Sequence, residues 1–230
     1  MIGIIGAMEE EVVALKRSMH IKSQFIKAQM EFIEGVLQGK EVVVVKCGIG
    51  KVNAAICTQI LVDNFNVECI INVGVAGGLH PDLNIGDIVV SSDTVQHDMD
   101  ATIFGDPRGV IPRMENSFFE ADRRLMDIAL KATATLGKEY KTYIGRIASG
   151  DQFVSSIKMK EDLYSTFTAY CAEMEGAAIA HTCYLNAVPF VIIRAISDKA
   201  DGSAEVNFAD FTEMAARNAN KIINYMIQNI

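Results

Sequence analysis

Carboxylates in three stretches of this 230-residue chain stand where acid–base chemistry is possible. In "IIGAMEEEV" (Ile4–Val12) an apolar run leads into Glu9, Glu10 and Glu11. Adjacent acids at a helix start are what the helix dipole favours on a surface, and one of them turned inward would be a candidate base. On a helical wheel Met8, Val12, Leu15 and Met19 fall within about 60° of one another and form the buried face. Glu10 then points away, while Glu9 and Glu11 flank that face on opposite sides, and periodicity does not choose between them. In "AEMEGAA" (Ala172–Ala178) Glu173 and Glu175 surround Met174 just before an apolar helix; strand-like alternation would send Met174 one way and both glutamates the other. In "FVIIRAISDKA" (Phe190–Ala200) a buried strand runs into Ser197 and Asp198, with Arg194 four residues earlier. Asp198 is the best single candidate for an acid, although a helix N-cap would use the same residue, and Arg194, if buried, pairs with one of the glutamates.

Two glycine-bearing stretches accompany these acids. "VGVAGGL" (Val73–Leu79) follows the strand-like "CIINV", so Val75, Ala76 and Gly77 fall at a strand's C-terminal end, where open α/β sheets bind ligands. "IASGDQFV" (Ile147–Val154) repeats the pattern and adds Phe153, an aromatic able to stack on a flat base. His181 and Cys183 share an apolar helix without further ligands, so no metal site is expected.

The elements that must hold these residues read as apolar runs, glycine turns and helical patterns in alternation. Strands are predicted at Ile2–Gly6, Met30–Leu37, Glu41–Lys46, Cys69–Val73, Asp87–Ser91, Thr142–Ala148 and Phe190–Ile196. Several are apolar without alternation, which fits a central sheet covered on both faces and an α/β three-layer α/β/α sandwich. At this length a single domain over residues 1–230 is expected. Phe211, Met214, Ala215, Ala219, Ile222, Ile223, Met226 and Ile227 recur at helical spacing as a packing stripe. Between Asp93 and Asn116 lies a stretch too long for a simple connection, of the kind that is functional or covers a partner. Its apolar Ile103, Phe104, Ile111 and Pro112 would be a liability in a monomer.

A net charge of −8 without a Lys/Arg-rich run argues against nucleic acid and against an anionic membrane surface, and so for a small-molecule partner. Five cysteines, mostly within apolar segments and without a CxxC pair, read as reduced thiols in the cytoplasm. The N-terminal apolar run is too short for a signal peptide or a membrane span.

"GIIGAMEEEV", "GIGKVNAA", "NVGVAGGL", "ASGDQFV", "EMEGAAIAH" and "RAISD", in this order from residue 3 to residue 198, resemble the 5'-methylthioadenosine/S-adenosylhomocysteine nucleosidases of the nucleoside phosphorylase superfamily. The resemblance implies a nucleoside phosphorylase-like fold with a mixed sheet, an N-glycosidic hydrolase, no cofactor, and a homodimer. It assigns Glu11 to activation of the attacking water and Asp198 to protonation of adenine N7, with Ser197 orienting that carboxyl. Glu175 would hold the ribose 2'- and 3'-hydroxyls beside Met174, while Arg194 would hold the glutamates, Glu173 among them, and the water. Phe153 would stack on adenine, with the Val154 backbone reading its Watson–Crick edge. Met8, Ile49 and Phe208 would line the 5'-alkylthio pocket, closed by Phe104 and Pro112 of the neighbouring subunit. Glycosidic cleavage builds positive charge on the ribosyl carbon and negative charge on the purine, so these roles need an ionised Glu11 and a protonated Asp198.

One departure is Val75, where the family often carries Ser ("GSAGG"), which shifts water positioning onto Glu11 and Arg194. The Val form, with "DQFV" and "VQHD", resembles nucleosidases that also accept 6-amino-6-deoxyfutalosine. A purine nucleoside or methylthioadenosine phosphorylase would need arginines or a Ser/Thr near the glycine turn to hold phosphate, and a carboxylate at Glu11 would repel it. "GIGKVN" (Gly48–Asn53) hints at a dinucleotide-binding dehydrogenase but has Asn53 at the third glycine. A nucleoside-binding protein without activity would have no use for the intact Glu11, Glu175 and Asp198 set.

Overall fold

The computed structural model describes residues 1–137, 139–200 and 204–230, without the side chains of residues 204–210, 212, 213 and 216. The chain forms β1 (Ile2–Gly6), α1 (Glu9–Ser18), β2 (His20–Lys27), β3 (Met30–Leu37), β4 (Lys40–Lys46) and α2 (Lys51–Phe65). There follow β5 (Cys69–Gly78), β6 (Ile88–Gln96), a 3-10 turn (Thr102–Phe104), β7 (Phe118–Glu120) and α3 (Arg123–Thr133). The last elements are β8 (Thr142–Ser149), α4 (Ile157–Phe167), β9 (Cys171–Glu173), α5 (Gly176–Leu185), β10 (Phe190–Asp198) and α6 (Ala204–Asn229).

The sheet is mixed, in the order β10-β6-β8-β9-β5-β1-β4-β3-β2, with β7 beside β6. β10 also pairs with β5, so β5, β10, β6, β8 and β9 close into a ring from which β1, β4, β3 and β2 extend as an arm. Successive strand residues face opposite layers. Ile4, Val44, Ile71 and Ile193 pack with Val12 and Leu15 of α1 and the apolar stripe of α6. Ile5, Val45, Ile70 and Ile192 pack with Cys57 and Leu61 of α2 and Ile179 and Cys183 of α5. Both faces are therefore dry, which explains why these strands read as unbroken apolar runs. All five cysteines are free and buried.

Three strands escape the sequence reading. β2 is exposed along its whole length, and its hairpin turn places Ala28 and Gln29 at positive φ without the Gly or Asn that marks such turns. β7 and β9 are three residues each. Three others run further than expected: β5 continues through the glycines to Gly78, β6 to Gln96 and β10 to Asp198. β1, β5 and β10 are adjacent and parallel, so their C-terminal ends reach one edge together. The stretch after β8 does not join them as a parallel neighbour. It arrives through β9, which pairs with β5 only at Gly77 and Gly78.

Candidate active site

At that edge the structure opens a cavity of about 110 Å³ with an open mouth, at the strand ends where open α/β sheets bind small molecules. Glu11, Val75, Ala76, Gly77, Ser197 and Asp198 line its strand side, and Phe153, Val154, Glu173, Met174 and Glu175 the other, with Met8 and Ile49 also in the wall.

Glu11 settles the question that periodicity left open. Met8 caps α1, and the Glu11 carboxylate folds back over the helix start, its Oε2 accepting the N–H of Ala7 at 2.6 Å and of Met8 at 3.0 Å. Oε1 accepts the N–H of Val75 on β5 at 3.2 Å. A first-turn glutamate satisfying orphan helix donors is ordinary capping; here the same bend carries the carboxylate to the cavity. Gly74 is required beside it, since a Cβ there would sit 2.6 Å from Glu11 Oε1 and 3.2 Å from Arg194 Nη1. Burial pushes the Glu11 carboxyl above its ordinary value, against the Arg194 charge and the three N–H bonds. Glu9 stays exposed with Lys16 at 3.1 Å and Lys46 at 3.6 Å, and Glu10 is exposed.

Asp198 ends β10. Its Oδ2 accepts from Ser197 Oγ at 2.8 Å and its Oδ1 from the N–H of Ala200 at 2.8 Å. Both bonds fix the carboxyl plane, and the side chain is 1% exposed.

The two glutamates around Met174 separate in role. β9 ends at Glu173, so strand alternation stops there and both acids reach the cavity wall together with Met174. Glu173 forms a buried ion pair with Arg194 and takes the Ser149 hydroxyl. It also accepts the N–H groups of Glu175 at 3.1 Å and Gly176 at 2.8 Å. Arg194 does not line the cavity as expected for a substrate contact; it lies behind the wall, its Nη2 also donating to Asn72 Oδ1 at 2.5 Å. Asn72 in turn donates to the Ile5 carbonyl at 2.9 Å. Among the described residues no cation pairs with Glu175. Its Oε1 accepts the Gly50 N–H at 2.9 Å, and burial with the nearby Glu173 charge pushes its carboxyl up to about 7.

Phe153 is 53% exposed and Ile49 55% at the mouth, while Val154 is buried. Phe104, 84% exposed, and the exposed Pro112 stand outside this chain's cavity wall, and the Phe208 side chain lies outside the described residues. Residues not singled out from sequence include Ala7, Gln152 and Ala172 in the wall, and Ser149 and Asn72 behind it. Asn72 carried a signal: it is the lone polar residue of "CIINV". Among the described residues no cluster of three His, Cys, Asp or Glu side chains suits a metal. Instead, His181 stacks on Phe119 with ring centroids 4.6 Å apart.

Fold and cavity together define a member of the phosphorylase superfamily, whose family model matches residues 1–228. A 5'-methylthioadenosine/S-adenosylhomocysteine nucleosidase of Staphylococcus haemolyticus is 43% identical over 231 residues, 99% of each chain. The crystal structure of the Neisseria meningitidis enzyme of that name, in complex with methylthio-immucillin-A, superposes with a TM-score of 0.95 at 38% identity, covering 100% of this chain and 99% of that one. A futalosine hydrolase of Helicobacter pylori gives 0.93 at 36% identity, covering 100% and 97%. The chain belongs to the 5'-methylthioadenosine/S-adenosylhomocysteine nucleosidase family.

Proposed function

We propose that the chain hydrolyses the N-glycosidic bond of 5'-methylthioadenosine and S-adenosylhomocysteine, releasing adenine and the corresponding thioribose. The observation that carries this is the charge of the cavity wall. Its described ionisable side chains are Glu11, Glu173, Glu175 and Asp198, all carboxylates, and the nearby Arg194 is paired with Glu173. Such a wall repels phosphate and accepts neutral water, which favours hydrolysis over phosphorolysis.

In the reaction, water attacks the anomeric carbon and gives a proton to Glu11. As the bond to N9 breaks, its electron pair goes to the adenine, which takes a proton at N7 from Asp198. The Val75, Ala7 and Met8 N–H groups aim the Glu11 carboxylate, replacing the role expected of Arg194, and Ser197 aims Asp198. Glu175 accepts the ribose hydroxyls. Phe153 stacks on adenine at the mouth while the Val154 backbone meets its edge, Met174 packs near the sugar, and Met8 and Ile49 bound the 5' group.

Phe104 and Pro112 fit a homodimer in which this segment closes the partner's 5' pocket: Ile103 at 87% and Phe104 at 84% exposure are apolar surface that a second subunit would cover. One domain over residues 1–230 accords with one continuous sheet from β2 to β10. The five buried free thiols suit the cytoplasm, and among the described residues no helix is long and apolar enough to cross a membrane. A second reading, action on 6-amino-6-deoxyfutalosine, is favoured by Val75 at the cavity and by the Helicobacter pylori futalosine hydrolase neighbour.

Adenine release from methylthioadenosine in phosphate-free buffer tests the proposal, beside added phosphate and the Glu11→Gln and Asp198→Asn variants. Phosphate-independent release lost in both variants is expected. Release only with phosphate makes the protein a phosphorylase, and binding without release makes it a nucleoside-binding protein. A higher kcat/KM for 6-amino-6-deoxyfutalosine than for methylthioadenosine would favour the second reading.

A further inference from the structure

Behind the mouth of the cavity, three segments distant in sequence meet in a closed ring of polar contacts. The backbone N–H of Lys51, the first residue of α2, donates to Asp151 Oδ1 at 2.8 Å. The Asp151 N–H donates to Asp98 Oδ2 at 2.9 Å. The ring closes through Lys51 Nζ, which donates to Asp98 Oδ1 at 2.6 Å and reaches Gln96 Oε1 at 3.3 Å. The Lys51 and Asp98 side chains are 18% and 19% exposed, so the pair is largely shielded from water. Burial alone would raise Asp98, but the Lys51 ammonium and the Asp151 N–H hold its carboxyl below its ordinary value.

None of the three ring residues lines the cavity, yet their chain neighbours do its binding. On one side of Lys51 is Gly50, whose N–H holds Glu175, and next to it Ile49 of the wall. On one side of Asp151 are Gln152, Phe153 and Val154, all in the wall. The ring therefore ties the loop that meets the base to the turn that aims the acceptor for the sugar.

We propose that Lys51, Asp98 and Asp151 form a latch of positioning residues that fixes the spacing between the adenine loop and the ribose-binding Glu175, and so sets nucleoside affinity rather than the chemical step. This rests on the nucleosidase reading above. Asp98 is the least replaceable member, because both its oxygens accept from donors. An Asn there has one carbonyl oxygen and must turn its NH₂ toward either the Lys51 ammonium or the Asp151 N–H.

The test compares Asp98→Asn, Lys51→Met, Lys51→Arg and Asp151→Asn with wild type in three measurements: steady-state kinetics on methylthioadenosine, calorimetric affinity for adenine, and thermal unfolding. Loss of a charge-assisted hydrogen bond predicts a KM raised by about 10- to 100-fold in Asp98→Asn and Lys51→Met. Adenine affinity should weaken with it, kcat should stay within about threefold, and Lys51→Arg should recover most of the KM. A lowered Tm with KM and adenine affinity unchanged would make the ring a structural staple and overturn the proposal, as would a fall in kcat at constant KM. If Asp98→Asn does not fold, Asp151→Asn, whose backbone bond to Asp98 survives, decides by the same measures. If wild type binds adenine but does not cleave the nucleoside, the nucleosidase reading fails while the latch is still judged on adenine affinity alone.

Discussion

Glu173 and Glu175 are two positions apart in one short segment, reach the same cavity, and are both largely buried, but their surroundings make them different chemical groups. Glu173 is saturated by the Arg194 guanidinium, the Ser149 hydroxyl and two backbone N–H groups. Glu175 accepts only the Gly50 N–H among the described residues, and burial with the Glu173 charge nearby pushes its carboxyl up to about 7 against that bond. The first arrangement stabilises a fixed framework, and the second leaves lone pairs and a titratable proton for a ligand. A buried acid is thus structural or functional according to how completely its oxygens are satisfied.

Removing the charge of each breaks the comparison in opposite directions. Glu173→Gln leaves the buried Arg194 without its paired carboxylate, with only the Glu11 and Glu175 charges nearby, and should lower stability by about 3–5 kcal/mol, read by denaturant unfolding. Glu175→Gln should instead cost roughly 100-fold in kcat/KM for methylthioadenosine, as expected when a charged hydrogen-bond acceptor for substrate is lost. Its stability at pH 8 should be unchanged or higher. The sign follows from linkage. A carboxyl at about 7 when folded and near 4.5 when unfolded binds its proton more tightly in the folded state. Its contribution is therefore present at pH 4.5 and lost as pH rises through 7. Unfolding of the ligand-free protein between pH 5 and 8 should show wild-type stability decreasing by about 1–3 kcal/mol more than that of Glu175→Gln. Over the same range, the role proposed for Glu175 as acceptor of the ribose hydroxyls needs the ionised form, so wild-type KM should rise as pH falls below about 7. The smallest effect belongs to Glu9, whose exposed pairs with Lys16 and Lys46 predict that Glu9→Gln changes Tm and kcat/KM little, within about 0.5 kcal/mol.

The same contrast shows what was legible beforehand. Apolar runs marked β1 and β4 almost to the residue and the start of β10, because strands covered on both faces carry apolar side chains on both sides. β2 left no such mark, being exposed throughout and joined to β3 by a turn without Gly or Asn. The order of the motifs identified the family and nominated Glu11, Asp198 and Glu175. Local pattern gave Arg194 a glutamate partner without saying which; in the fold that partner is Glu173, 21 residues away, and Asn72, 122 residues away, joins it.

The sequence alone determined the class of fold, the location of the acids at strand ends and helix starts, and the family, because each depends on periodicity or on neighbours along the chain. Which acid is saturated as a strut and which keeps oxygens open to the cavity was decided only by tertiary structure. Those roles depend on burial and on donors brought from other strands: the Val75 N–H for Glu11, the Arg194 guanidinium for Glu173 and the Gly50 N–H for Glu175. A carboxylate's character is set by the groups that reach its oxygens in space.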